Sequence, residues 1–184
     1  MKIDTKIRTK YHMGFDREGE PITEIVVHGT GGGSSSAGLI NWMLTAGRPS
    51  EYKKGIALFH YLIDTDGETT EIISPDNWVF HSSSGTHDKT TIGIEHINSD
   101  AHNDKEYTAA QYAALIKLIT ILMKKYSITT IVGHGQNKLK YSKAYKECPG
   151  AKFRWDIIEN ELLSQGYSFS KSKEKIYNIK KGDA

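Results

Sequence analysis

This chain of 184 residues predicts an α/β fold: a single domain with a central mixed β-sheet flanked by helices. Three observations predict it. Short β-branched runs closed by glycine occur at Ile25-Val26-Val27-His28-Gly29 and Thr130-Ile131-Val132-Gly133, the pattern of strands buried on both faces. A long amphipathic stretch over 108–126 lies between them, long enough to cross from one strand to another. The composition, 38% hydrophobic and 25% charged, suits one domain large enough to bury its own core.

Taken in order, residues 1–22 are polar with scattered apolar positions and read as an arm lying on the domain. Ile25–His28 reads as a buried central strand. Gly31–Ser36 then lies between that strand and the apolar stretch Leu39–Leu44. This makes it a strand-to-helix loop rather than a linker, and it lacks the Gly-Lys-Ser/Thr ending of a phosphate loop. Ala57–Ile63 fits a second strand, with Asp64-Thr65-Asp66-Gly67 as the turn and Thr70–Ile73 as its hairpin partner.

In Thr91–Ile97, alternation sends Ile92, Ile94 and His96 to one face and Gly93, Glu95 and Ile97 to the other. A helix over 108–126 opens with the capping box Thr108/Gln111 and carries Tyr112, Ile116, Ile119, Met123 and Tyr126 at helical spacing. The strand Thr130–Val132 leads to His134. A last helix over 153–163 stops at Gly166. Residues 168–184, with five lysines and three serines, read as a flexible tail or linker after a domain of 1–167.

A net charge of +2 is too small to argue for nucleic acid. The single cysteine allows no intramolecular disulfide. Met1–Arg8 has no apolar core of signal-peptide length, and no stretch is apolar enough to span a bilayer. These features predict a chain made in the cytosol, which would need a pore, lysis or a partner to leave it; a monomer is the expectation, though no feature of the sequence derives it.

The chemistry centres on the lone cysteine, Cys148, in Lys146-Glu147-Cys148-Pro149-Gly150, fourteen residues beyond His134. With His28 these make two imidazoles and a thiolate, a donor set for a tetrahedral zinc ion with one position left for water. Spacing alone leaves open two core histidines and a buried free cysteine, or a cysteine nucleophile with His134 as its base.

The runs Ile25–Gly31, His60–Gly67, Ile92–Glu95, Val132–His134 and Lys146–Gly150 resemble, in order and spacing, the type 2 N-acetylmuramoyl-L-alanine amidases. That superfamily includes amidase-type phage lysozymes, bacterial muropeptide amidases and animal peptidoglycan recognition proteins. The resemblance covers roughly residues 20–165. It implies one zinc ion held by His28, His134 and Cys148, in a substrate groove at one edge of the sheet. Glu95 is then the general base and Lys146 stabilises the tetrahedral intermediate. The substrate is peptidoglycan or a muropeptide, cut between N-acetylmuramic acid and L-alanine; the alternative is a module that binds peptidoglycan without cutting it.

One branch of the family has a catalytic tyrosine where this chain has Phe59, which cannot transfer a proton. Tyr61, on the same face by alternation, is the candidate to assist. His81, in Trp78-Val79-Phe80-His81-Ser82-Ser83, and Thr30, in the groove wall, complete the expected substrate contacts. His12, His60, His87, His96 and His102 read as ordinary surface or core histidines.

Overall fold

The computed structural model describes residues 3–4, 14–45, 58–143, 146–171 and 177–181. In chain order its strands are β1 (Ile3–Asp4), β2 (Phe15–Asp16), β3 (Glu24–Gly29), β4 (Tyr61–Ile63), β5 (Thr69–Glu71), β6 (Asn77–Trp78), β7 (Thr91–His96), β8 (Thr130–Gly133), β9 (Tyr167–Lys171) and β10 (Tyr177–Lys181). Its helices are α1 (Ser36–Thr45), α2 (Gly85–Asp88), α3 (Ala109–Lys125), α4 (His134–Ser142) and α5 (Trp155–Ser164).

The main sheet has the order β1-β5-β4-β7-β3-β8-β10-β9, and β2 pairs with β6 in a separate ribbon. Parallel pairing joins β4 to β7, β7 to β3, and β3 to β8. The mixed sheet expected from the sequence is therefore present, with its most buried strands in the middle. Ile25, Val27, Ile92, Ile94 and Ile131 face α3 and α5, where Leu115, Leu118, Ile119, Ile158 and Leu162 meet them. Leu62 and Ile97 face the other way and pack with Phe59, Val79 and α1's Ile40 and Met43. Each such side chain contributes about 1.5–3 kcal/mol by leaving water. The capping box of α3 forms: Gln111 N donates to Thr108 Oγ1 at 3.1 Å, and Thr108 N to Gln111 Oε1 at 3.0 Å.

The arm is fastened through Arg17, which is buried and donates to the carbonyls of Pro75 (2.6 Å), Thr91 (2.8 Å), Asp88 (3.3 Å) and Lys89.

Two expectations need correction. Residues 168–184 were expected as a tail, but β9 and β10 form an antiparallel hairpin that extends the sheet past β8. Ile179 is buried while Asn178, Ser168 and Ser170 are exposed, so these two serines lie on the solvent side of a strand pair. Without β10, β8 would be an open edge. The second correction concerns the strand expected from Ala57, a residue outside those described. It begins only at Tyr61, because the His60 carbonyl accepts from both Ile72 N (2.8 Å) and Ile73 N (3.5 Å) and breaks the alternation. Phe59 therefore packs on the α1 side and Tyr61 on the α3 side.

Candidate metal centre

Parallel pairing puts the carboxyl ends of β3, β7 and β8 together, the end of an α/β sheet where ligands collect. His28 is the penultimate residue of β3, and His134 opens α4 directly after β8. Cys148 arrives on the loop before α5, held to the first turn of α4 by a 2.8 Å bond from Gly135 N to its carbonyl. A Cβ at Gly135 would collide with the Lys146 carbonyl, so the loop comes this close only over glycine. The Cys148–Pro149 peptide is cis, and Tyr107 Oη donates to the Pro149 carbonyl at 2.6 Å.

One ligand atom each from His28, His134 and Cys148 lie within 4.8 Å of one another. Burial, with His134 and His81 nearby, holds His28 well below the usual histidine pKa, so it is the neutral, ligating form at pH 7. Burial pushes the Cys148 thiol up to about 12, and the Glu95 charge adds to the rise. A thiol so weakly acidic is a poor nucleophile, which disfavours the cysteine-hydrolase alternative. A divalent cation beside the sulfur reverses that balance and displaces the proton. Two imidazoles, that of His28 neutral, and one thiol thus fit a metal ion of the zinc type.

The donors open onto a cavity of about 130 Å³ that Thr30, Phe59, Glu95 and Lys146 also line. A second concavity of about 330 Å³ adjoins it, sharing Phe80, His81, His134 and Lys146 and adding Ser83 and Lys138. Larger hollows of about 760 and 640 Å³ lie along α3 and hold none of these residues.

Glu95 is the register partner of His28 on the adjacent strand and shares its face. Lys146 is exposed at the rim of both concavities. Thr30 lines the cavity, but its hydroxyl is engaged by the backbone of Asn98, donating to the carbonyl (2.9 Å) and accepting from N–H (2.8 Å). It shapes the wall. His81, expected at the substrate, is buried behind His28, with its Nδ1 3.2 Å from His28 Nε2. Tyr61 is not brought to the cavity. Its ring is in the α3-side core and its hydroxyl donates to Glu71 Oε2 at 2.9 Å, the consequence of the broken alternation at His60.

Several supporting residues escaped sequence reasoning. Buried Glu24 meets His87 Nε2 (2.7 Å) and Asn137 Nδ2 (3.1 Å), while Tyr141 Oη reaches His87 Nδ1 (3.1 Å). This cluster clamps α4 to α2 and β3. The heptad-free, polar run His134–Ser142 gives little helical signal, so α4 was not anticipated. His60 is buried, accepting from Gly93 N (2.9 Å) and donating from Nε2 to the Asn77 carbonyl (3.0 Å). His96, also buried, donates from Nδ1 to the His28 carbonyl (3.1 Å). His12 lies outside the described residues.

Residues 18–151 match the family model described as N-acetylmuramoyl-L-alanine amidase. Among solved structures, the fold is similar to the N-acetylmuramoyl-L-alanine amidase LysC from Clostridium intestinale URNW (TM-score 0.68, 21% identity, 89% of this chain and 98% of that one). It is also similar to AmpD (TM-score 0.66, 22% identity, 87% and 98%). The peptidoglycan recognition protein PGRP-SA of Apis mellifera is a further likeness (TM-score 0.65, 18% identity, 85% and 94%). Comparison with curated proteins gives no match. No described helix is long and apolar enough to cross a membrane.

Proposed function

Because the chain belongs to the N-acetylmuramoyl-L-alanine amidase family, we propose that it is a zinc-dependent hydrolase of peptidoglycan or muropeptides, cutting the amide between N-acetylmuramic acid and L-alanine. The convergence of His28, His134 and Cys148 on one another, at the mouth of a cavity, carries the reading. Zinc bound there would supply Lewis acidity, bringing a water's pKa to about 7.

The chain's own residues do the rest. Glu95, facing the cavity beside His28, takes the proton of the attacking water and passes it to the leaving amine. The Lys146 ammonium at the rim faces the oxygen on which charge develops. Phe59, lining the same cavity, excludes water and moves no proton. The alternative of binding without cutting is disfavoured by the complete donor set, since nothing in a pure binding site requires a buried thiol beside two imidazoles.

The test is release of L-alanine amino termini from purified cell wall and from soluble muropeptides. Release should stop on chelation and return with zinc. Glu95→Gln should keep the metal and lose about 100- to 10,000-fold in turnover. Hydrolysis that survives chelation, or near-normal turnover in Glu95→Gln, would overturn the assignment.

A further inference from the structure

Behind His28 runs a line of buried polar groups that the mechanism above does not use. His28 Nε2 lies 3.2 Å from His81 Nδ1, and His81 Nε2 lies 2.9 Å from Thr91 Oγ1. Thr91 Oγ1 in turn donates to the backbone carbonyl of Asp88 at 3.4 Å. Thr91 is fully buried, and the His81 side chain has no solvent exposure. From these contacts we infer that Thr91 and His81 are positioning residues that fix the tautomer of His28, so that His28 offers Nδ1, and not Nε2, to the metal.

The direction of the line follows from its far end. We assign the single proton of the Thr91 hydroxyl to the Asp88 carbonyl, which can only accept, leaving the Thr91 oxygen to accept the shorter bond from His81. The Thr91 oxygen is then an acceptor, and His81 must carry its proton on Nε2. The Asp88 carboxylate, 4.0 Å from that nitrogen, favours the same placement. His81 Nδ1 is left as an acceptor, which requires the proton of His28 to sit on Nε2. The lone pair of His28 is then on Nδ1.

Reversing every bond gives the opposite result. His81 would donate from Nδ1 into the lone pair of His28 Nε2, and the neutral His28 ring would carry its proton on Nδ1 with no nitrogen left for a metal. Ser83, 2.9 Å from His134 Nε2, fixes nothing comparable, because its exposed hydroxyl can donate or accept. Outer partners that orient a ligating histidine typically contribute 10- to 100-fold in metal affinity.

The inference rests on the proposed function only for the identity of the ion, and zinc itself is the probe. Two-bond ¹H–¹⁵N spectra of the chelated protein should show His28 and His81 both protonated on Nε2, with His28 keeping that proton when zinc is added. Thr91→Val should weaken zinc, measured by competition with a chromogenic chelator, by roughly 10- to 100-fold. Thr91→Ser, which keeps the hydroxyl, should restore it. A His28 protonated on Nδ1, or holding zinc through Nε2, would overturn the inference. So would a Thr91→Val variant that binds zinc within twofold of the parent. Zinc held through Nδ1 in a protein that cuts nothing would support this inference and sink the amidase reading, so the two fail separately.

Discussion

Lowering the pH of the chelated protein from 7.5 to 5 should cost it much of its stability, through histidines buried in the neutral form. Burial is the main cause of the low pKa of His60, about 3, and of His96, about 4, against an ordinary value of 6.5. Because the folded pKa values are depressed, the unfolded chain binds more protons below pH 6.5. The contribution to stability is therefore complete above about pH 6.5 and is lost as pH falls through the window toward 4 and 3. At pH 5 each ring costs about 2 kcal/mol, so the pair costs about 4 kcal/mol. His28 and His81, held low by the same burial, act in the same direction. Against a typical total of about 5–15 kcal/mol, this is a large fraction. Urea unfolding followed by circular dichroism at pH 7.5, 6 and 5, with chelator present, measures it. His60→Asn should remove about one proton from the slope. A change below about 1 kcal/mol between pH 7.5 and 5 would show that these rings are hydrated or already charged in the native state, refuting the burial argument.

Two substitutions probe the cleft from opposite sides. In Gly93→Ala the new Cβ would stand 2.8 Å from Cγ and Nδ1 of His81, a ring with no room to retreat. The strain should cost about 1–3 kcal/mol, a fall in Tm on the order of 3–10 °C, and scanning calorimetry reads it; an unchanged Tm would mean that His81 moves freely. Lys146→Met, at an exposed position, should leave Tm and zinc content unchanged while lowering kcat by about 100- to 1,000-fold. Equal losses in kcat and zinc content would instead make Lys146 part of the metal site's support.

How much of this was legible in the sequence follows from the range of the signals. The β-branched runs at β3, β7 and β8 and the capped helix α3 are local patterns, and they placed the sheet's centre and its main crossover. The three donors were found because ordered motifs resemble a family; nothing in the spacing of 28, 134 and 148 shows that they meet. Tyr61 was misplaced because a two-residue period was carried through His60, whose carbonyl is shared by two amides, and no residue type announces that. The terminal hairpin was missed because lysine and serine content hid a period-two pattern whose only described buried position in β10 is Ile179. His81 was seen and lines both concavities, but only coordinates put its ring across Gly93 and against His28.

The supports around the donors bear on what a metal would have to do here. Each donor is held by bonds that involve no cation. β3 is paired on both sides and His28 is backed by His81. α4, which begins at His134, is clamped through Asn137 and Tyr141 to Glu24 and His87. The Cys148 loop is fixed by Gly135 N on its own carbonyl, by Tyr107 on Pro149, and by Asn103 Nδ2 on the Glu147 carbonyl (3.3 Å). In a small zinc-nucleated domain the ion's binding energy is folding energy, because the ligands have no other reason to meet. Here two clusters of buried apolar side chains and these polar bonds already bring them together. The entropy of assembling the site is met by the fold. The affinity of a zinc ion bound there would then depend on tautomer and thiol chemistry, with little effect on whether the chain folds.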